Sequence, residues 1–146
     1  MNQRTESGIK LFALIALVCA VSAGTVDYYN SLHTVQWISF DDALRRASET
    51  KKLIYVDFYA DWCGPCKQMD KTTFAKDNVI AILKNEIFAT RINVDDPLFG
   101  QPISKKYNVD AMPTSLLINA GQQEIRRHVG YMGAEEFVAW LKEKKP

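Results

Sequence analysis

An α/β domain, a β-sheet flanked by helices, is predicted by three observations on this chain of 146 residues. The run Leu53-Ile54-Tyr55-Val56-Asp57-Phe58-Tyr59 is almost continuously apolar and rich in β-branched and aromatic residues, the pattern of a central strand buried on both faces. Helix-compatible segments alternate with further strand-like runs along the chain. Towards the C-terminus, two short runs flank a turn at Ala120-Gly121 and read as an antiparallel hairpin. The length allows one domain with a sizeable core.

The elements follow in order. Residues 1–23 carry Arg4 and Lys10, an apolar run from Leu11 to Val21 and the small-residue exit Val21-Ser22-Ala23, the pattern of a secretory signal cut after Ala23. The run is short for a membrane-spanning helix. The alternative is an uncleaved anchor that stretches toward Val26 with tilt or bilayer thinning. A lipoprotein signal fits less well, because bulky Val18 precedes Cys19. Residues 24–34 form a polar, aromatic-bearing lead-in, and residues 35–146 the folded domain. Val35-Gln36-Trp37-Ile38 reads as a first strand, and Ser39 is placed to cap a helix reaching about Glu49, with Asp41 and Asp42 in its first turn. Lys51-Lys52 ends it before the buried strand.

Residues 67–74 have helix-compatible composition. Asp77-Asn78 is placed to cap a turn containing Val79, Ile80, Ile82 and Leu83. Residues 87–94 read as the next strand, 95–102 as a loop, and 103–107 as a short helix. Residues 115–118 and 124–129 make the hairpin. Residues 134–144 close the chain as an amphipathic helix, with Phe137, Val138, Trp140 and Leu141 toward the sheet. Trp37, Phe40, Phe58 and Phe74 read as core, and there are no repeats or low-complexity tracts.

The chemistry lies in Cys63-Gly64-Pro65-Cys66, directly after the buried strand. Pro65 is tolerated in a first helical turn, where its missing N–H removes no helical bond. Cys63 then sits at a helix N-terminus with Cys66 one turn on, about 5–6 Å away, a separation that suits a disulfide. Unpaired N–H groups and the positive end of the helix dipole stabilise a thiolate at Cys63, below the free value of about 8.5. Cys66, further in, is expected to be shielded and to resolve a mixed disulfide formed by Cys63. A purely structural bridge is a weaker reading, since so short a loop restrains little chain entropy. A zinc site would need two more ligands from Cys19, His33, His128 or carboxylates, and neither histidine lies in a second paired motif. Both histidines read as surface residues, and no metal or other cofactor is expected.

Asp57-Phe58-Tyr59-Ala60-Asp61-Trp62-Cys63-Gly64-Pro65-Cys66-Lys67 resembles the active-site segment of the thioredoxin superfamily. Met112-Pro113-Thr114 is similar to its cis-proline loop, Gly121 and Gly130 to two further family glycines, and the spacing is similar from about Val35 to Lys144. Within the superfamily, Tyr59-Ala60-Asp61-Trp62-Cys63, Lys71-Thr72-Thr73-Phe74 and Gly130-Tyr131-Met132 resemble the periplasmic C-terminal domain of the membrane electron transporter DsbD. Departures are Gly64-Pro65, the thioredoxin dipeptide where the DsbD domain usually has other residues, Tyr59 in place of the tryptophan common in thioredoxins, and Arg91 where they commonly carry a lysine near the buried acid. With no multi-helix membrane region, the chain is not a full-length transporter.

The resemblance implies a thioredoxin fold, a central mixed β-sheet flanked by α-helices. It implies that Asp57, whose buried carboxyl should titrate high, accepts the proton of Cys66 through water; the alternative is a hydrogen-bonded core acid. It implies a cis peptide at Pro113, against an ordinary trans turn, with Met112 offering a backbone edge to extended substrate. Trp62 is expected as a surface ring useful for docking, against plain packing, and Gly64 and Pro65 complete the substrate-facing set.

The expected activity is reduction of protein disulfides through Cys63 and Cys66. Runners-up are an oxidant or isomerase, and a non-catalytic binding or chaperone module. The Gly-Pro dipeptide favours a reductant by analogy with thioredoxin, at about −270 mV against about −120 mV for the oxidant DsbA. Loss of residues 1–23 leaves 16 basic and 16 acidic residues, which gives no argument for nucleic acid or an anionic membrane surface. It also leaves only Cys63 and Cys66, with no spare thiol for an oxidising compartment. A monomer in the periplasm is expected, or one anchored to the inner membrane facing it. Its clients would be disulfide-bearing proteins, cytochrome c maturation factors among them, and its electron donor a DsbD-like membrane protein.

Overall fold

Strand β2 (Ile54–Tyr59) is the axis of the sheet. It runs parallel to β3 (Phe88–Asn93) on one side and antiparallel to β4 (Thr114–Ile118) on the other. Beyond these, β1 (Trp37–Ile38) adds in parallel to β3, and β5 (Glu124–Val129) antiparallel to β4. The order β1-β3-β2-β4-β5 is therefore that of a mixed sheet, as expected. This computed structural model describes Thr25 and residues 33–143. Residues 1–23, read as a signal segment, and nearly all of those read as the lead-in lie outside the described residues. Among the described residues no helix is long and apolar enough to cross a membrane.

The period of two along β2 sorts its side chains into two layers. Ile54, Val56 and Phe58 pack with Ala43 and Ala47 of α1 (Phe40–Thr50), and with Tyr107 at the end of α4 (Gly100–Lys106). Tyr55 enters the other layer with Met69 of α2 (Gly64–Thr72), Val79 and Leu83 of α3 (Asp77–Asn85), and Phe137 and Leu141 of α5 (Ala134–Lys142). Asp57 has the parity of Tyr55 and faces the α2 layer. Tyr55 meets Phe137 edge-on at 4.9 Å, and Trp37 meets Phe74 at 5.1 Å in the same manner.

Helix ends follow local chemistry. The Ser39 side chain accepts from the Asp42 N–H at 3.2 Å, and α1 stops at Lys51 in the left-handed conformation, φ 62°. Helix α2 ends before Phe74, short of the expected span, because the buried Thr73 hydroxyl donates to the Met132 carbonyl at 2.6 Å. Asp77 is the first residue of α3 rather than its cap, and Lys76 in the cap position makes no side-chain bond. Helix α4 begins three residues earlier than expected, at Gly100 inside the stretch read as loop.

Gly100 explains that early start. It lies so close to β3 that an added Cβ would stand 1.7 Å from the Asn93 carbonyl oxygen. Only glycine lets the chain turn into α4 against the sheet. Gly100→Ala is therefore expected to lower stability by roughly 1–3 kcal/mol, the cost of overpacking. Gly64→Ala, where an added Cβ meets nothing within 4 Å, should change it by less than about 0.5 kcal/mol. Urea midpoints at constant m-value check both.

Candidate active site

Cys63 is the N-cap of α2, in extended conformation, and Pro65 lies in the first turn. Pro65 has no N–H, and the Cys66 N–H points back to the Cys63 Sγ at 3.2 Å. The two sulfurs are bonded at 2.02 Å with Cα atoms 5.3 Å apart. A backbone donor aimed at one sulfur distinguishes the pair electrostatically: negative charge on Cys63 Sγ is stabilised by that N–H and by the helix end. Exposure does not distinguish them. Cys66 is shielded as expected, but Cys63 is as well, at 2% and 3% exposed.

The sheet register brings the proline loop to the same edge. Phe58 pairs with Thr114, so Met112-Pro113 lies where β2 delivers the cysteines. The Met112–Pro113 peptide is cis, and Met112 packs against the cluster of Ala60, Cys63 and Cys66. The Pro113 carbonyl accepts from the Gly130 N–H at 2.8 Å, and the Thr114 hydroxyl donates to the Ala111 carbonyl at 2.7 Å. Gly64 and Pro65 are exposed on the first turn. Trp62 is 66% exposed, and its indole N–H donates to Asp95 Oδ2 at 2.8 Å. Asn93 braces the same region, accepting from the Asp95 N–H at 3.0 Å and reaching Asp61 at 3.4 Å.

Asp57 is 1% exposed and is the register partner of Arg91 on β3 and Ser115 on β4. Arg91 Nε donates to Asp57 Oδ2 at 2.8 Å, while Oδ1 is buried with no hydrogen-bond partner among the described residues. Burial pushes the carboxyl up to about 6, with Arg91 pulling down and Asp70 adding to the rise. Sequence reading placed Arg91 near the acid but missed Asp70 on α2, whose Oδ1 is 2.7 Å from Arg91 Nη2. It also missed Asp95. Both are joined to their partners only by tertiary packing; spacing four residues after Cys66 was the one available signal for Asp70.

Fold and geometry together define a thioredoxin-fold domain with a cysteine pair opening a helix. The chain belongs to the thioredoxin-like domain family, whose model matches residues 40–145. It is similar to the thiol:disulfide interchange protein DsbD of Ralstonia nicotianae, 33% identical over 103 residues that cover 70% of this chain and 17% of DsbD. The chain thus spans a small part of that relative's length. Among solved structures, a thioredoxin from Thermus thermophilus superposes with TM-score 0.67 at 26% identity, over 75% of this chain and 85% of that one. The oxidised C-terminal domain of DsbD from Neisseria meningitidis shares the fold, with TM-score 0.56 at 24% identity over 73% and 97%.

The raised carboxyl has a signed consequence for stability. The folded chain keeps the Asp57 proton up to about pH 6, whereas an unfolded aspartate loses it near about 3.9. Between these values the native state binds more protons, so stability falls as pH rises. The stability of the unaltered oxidised protein minus that of Asp57→Asn should fall by about 2 kcal/mol from pH 4 to 7. Denaturant titrations across that range check it; a difference that is flat or rises with pH contradicts the assignment.

Proposed function

We propose that this chain is an exported protein-disulfide reductase. The observation that carries the reading is the Cys66 N–H directed at Cys63 Sγ on a helix N-terminus, with a buried acid in the layer beneath that helix. In the reduced protein, the Cys63 thiolate attacks one sulfur of a client disulfide; the client S–S bond breaks and its other sulfur leaves as thiolate. The Cys66 thiol then gives its proton to Asp57, and its sulfur displaces the second client sulfur from Cys63. Two electrons pass to the client, and Cys63–Cys66 is left as the disulfide. An upstream dithiol, supplied by a DsbD-like membrane protein, returns the pair to the reduced form.

Trp62, Gly64, Pro65, Met112 and Pro113 are the client-facing residues in this reading. The extended client lies along the Met112-Pro113 edge, and the exposed Trp62 ring, held by Asp95, supports it beside the disulfide. Export is supported by the charged, apolar and small-residue pattern of residues 1–23 and by similarity to DsbD. A single pair with no further thiol after residue 23 suits an oxidising compartment.

Cys66→Ser is expected to accumulate a client joined to Cys63 on non-reducing gels, and Cys63→Ser to trap none. Equilibrium with glutathione should give a potential below about −180 mV. A higher value reassigns the protein as an oxidant or isomerase, and failure of Cys66→Ser to trap any client favours a non-catalytic binding module.

A further inference from the structure

Strand β1 is too short to cover its neighbour. It ends at Ile38, opposite Thr90, whereas β3 continues beside β2 to Asn93. The chain turns away into α1 here, and a cavity of about 290 Å³ opens beside the uncovered end of β3. Its apolar walls are Phe40 of α1, Ile92 of β3, and Phe99 and Ile103 at the start of α4. Arg91 also lines it, but its guanidinium is already held by Asp57 and Asp70. The three most exposed large apolar side chains among the described residues are Leu98 at 77%, Phe99 at 68% and Trp62. One loop links them. The Asp96 carboxylate accepts from the Leu98 and Phe99 N–H groups at 2.8 and 3.1 Å, and Asp95 holds the Trp62 indole. Scattered singly, such side chains need no explanation; grouped on one held loop beside a reactive disulfide, they mark an interaction surface.

We propose that this cavity and its Leu98-Phe99 lip are a second docking point for the client protein, taking a bulky apolar side chain flanked by basic residues near the client's disulfide. The inference rests on the reading of this chain as a reductase of protein disulfides, and it names the clients that reductase prefers. Two observations choose the occupant. The strand order β3-β2-β4 puts the cysteines between this loop, which follows β3, and the Met112-Pro113 edge, which precedes β4. A client segment that leaves the proline edge and crosses the disulfide therefore passes Trp62 toward the loop that Asp95 ties to it. Charge decides the rest. Asp41 lines the cavity, Asp95 and Asp96 lie in the loop, and Asp61 reaches Asn93 where the loop begins. None of the four is in an ion pair among the described residues. Basic side chains on a client are steered toward them and acidic ones repelled, while the buried apolar anchor supplies the affinity.

The test titrates the oxidised, isotope-labelled full chain with short cysteine-free peptides and follows its amide shifts. One peptide has a phenylalanine between lysines; a second has glycine for that phenylalanine, and a third has glutamates for the lysines. The first should shift Ile92, Phe99 and Ile103 and bind about tenfold more tightly than the second, the reach of one aromatic anchor. The third should bind more weakly than the first, by a margin that shrinks with added salt. Phe99→Ala, at an exposed position, should weaken the first peptide by a similar factor to the loss of its phenylalanine. Asp41→Asn should weaken it about twofold to fivefold, as for one exposed ion pair. Equal affinities for the first two peptides, or unchanged binding in Phe99→Ala, overturn the proposal. A disulfide-bonded form of the first peptide should be reduced with a KM about tenfold below that of its glycine counterpart; equal KM values overturn the assignment to clients. A chain that reduces neither form overturns the reductase reading instead, while the cysteine-free titrations still report on the cavity. Self-association of the full chain that rises with concentration and is lost in Phe99→Ala gives the cavity to a second copy, and also overturns the proposal.

Discussion

Taking the Asp57 carboxylate out of water costs on the order of several kcal/mol, and the neighbouring structure is arranged around that cost. The carboxyl sits in the middle of a strand paired on both sides and covered on both faces. The nearest place for a compensating cation is the register partner on β3, and Arg91 stands there. A lysine could neutralise the charge, but it could not reach Asp57 and Asp70 through separate nitrogens of one rigid plane. Compensation is incomplete all the same. One carboxylate oxygen has no partner among the described residues, and burial outweighs Arg91, so the acid titrates near 6 rather than in the usual carboxylate range.

The same strand dictates where the cysteines go. As β2 leaves the sheet at the carboxyl ends of the parallel pair, residues 60–63 turn the chain into α2, which brings the first free donors of that helix to this edge. Pro65 brings no donor to the turn, and the next N–H, that of Cys66, falls to Cys63. Strand β4 runs the other way, so its beginning, not its end, lies at this edge. That is why a proline 50 residues away in sequence from Cys63 (Pro113) sits beside the disulfide cluster through its neighbour Met112.

What the sequence made legible was what local chemistry determines. The apolar run at β2 admits little other than a buried central strand. Ser39 bonds the Asp42 N–H because a hydroxyl before a helical run has few better partners. Cysteines three apart around Gly-Pro place themselves on a helix start. The rest depends on partners distant in sequence. Helix α2 stops early for the sake of the Met132 carbonyl, and α4 starts early because Gly100 can press against Asn93. Asp70 looks like any exposed helical acid until β3 delivers Arg91 to it. Trp62 is legible as a surface ring, but its tether to Asp95 is 33 residues away.

In the proposed cycle the acid has two duties that pull against each other. It must be ionised when Cys66 needs to lose a proton, and it must surrender that proton before the next turn. Burial alone would push Asp57 so high that it stayed protonated; a fully effective cation would hold it so low that it made a poor acceptor. A value of about 6 lies between these, close enough to neutral pH for both transfers. Burial supplies the upward push and Arg91 the restraint, while Asp70 at the surface keeps the restraint partial. The chemistry of Cys63-Gly64-Pro65-Cys66 thus depends on a balance of charges set one layer below it.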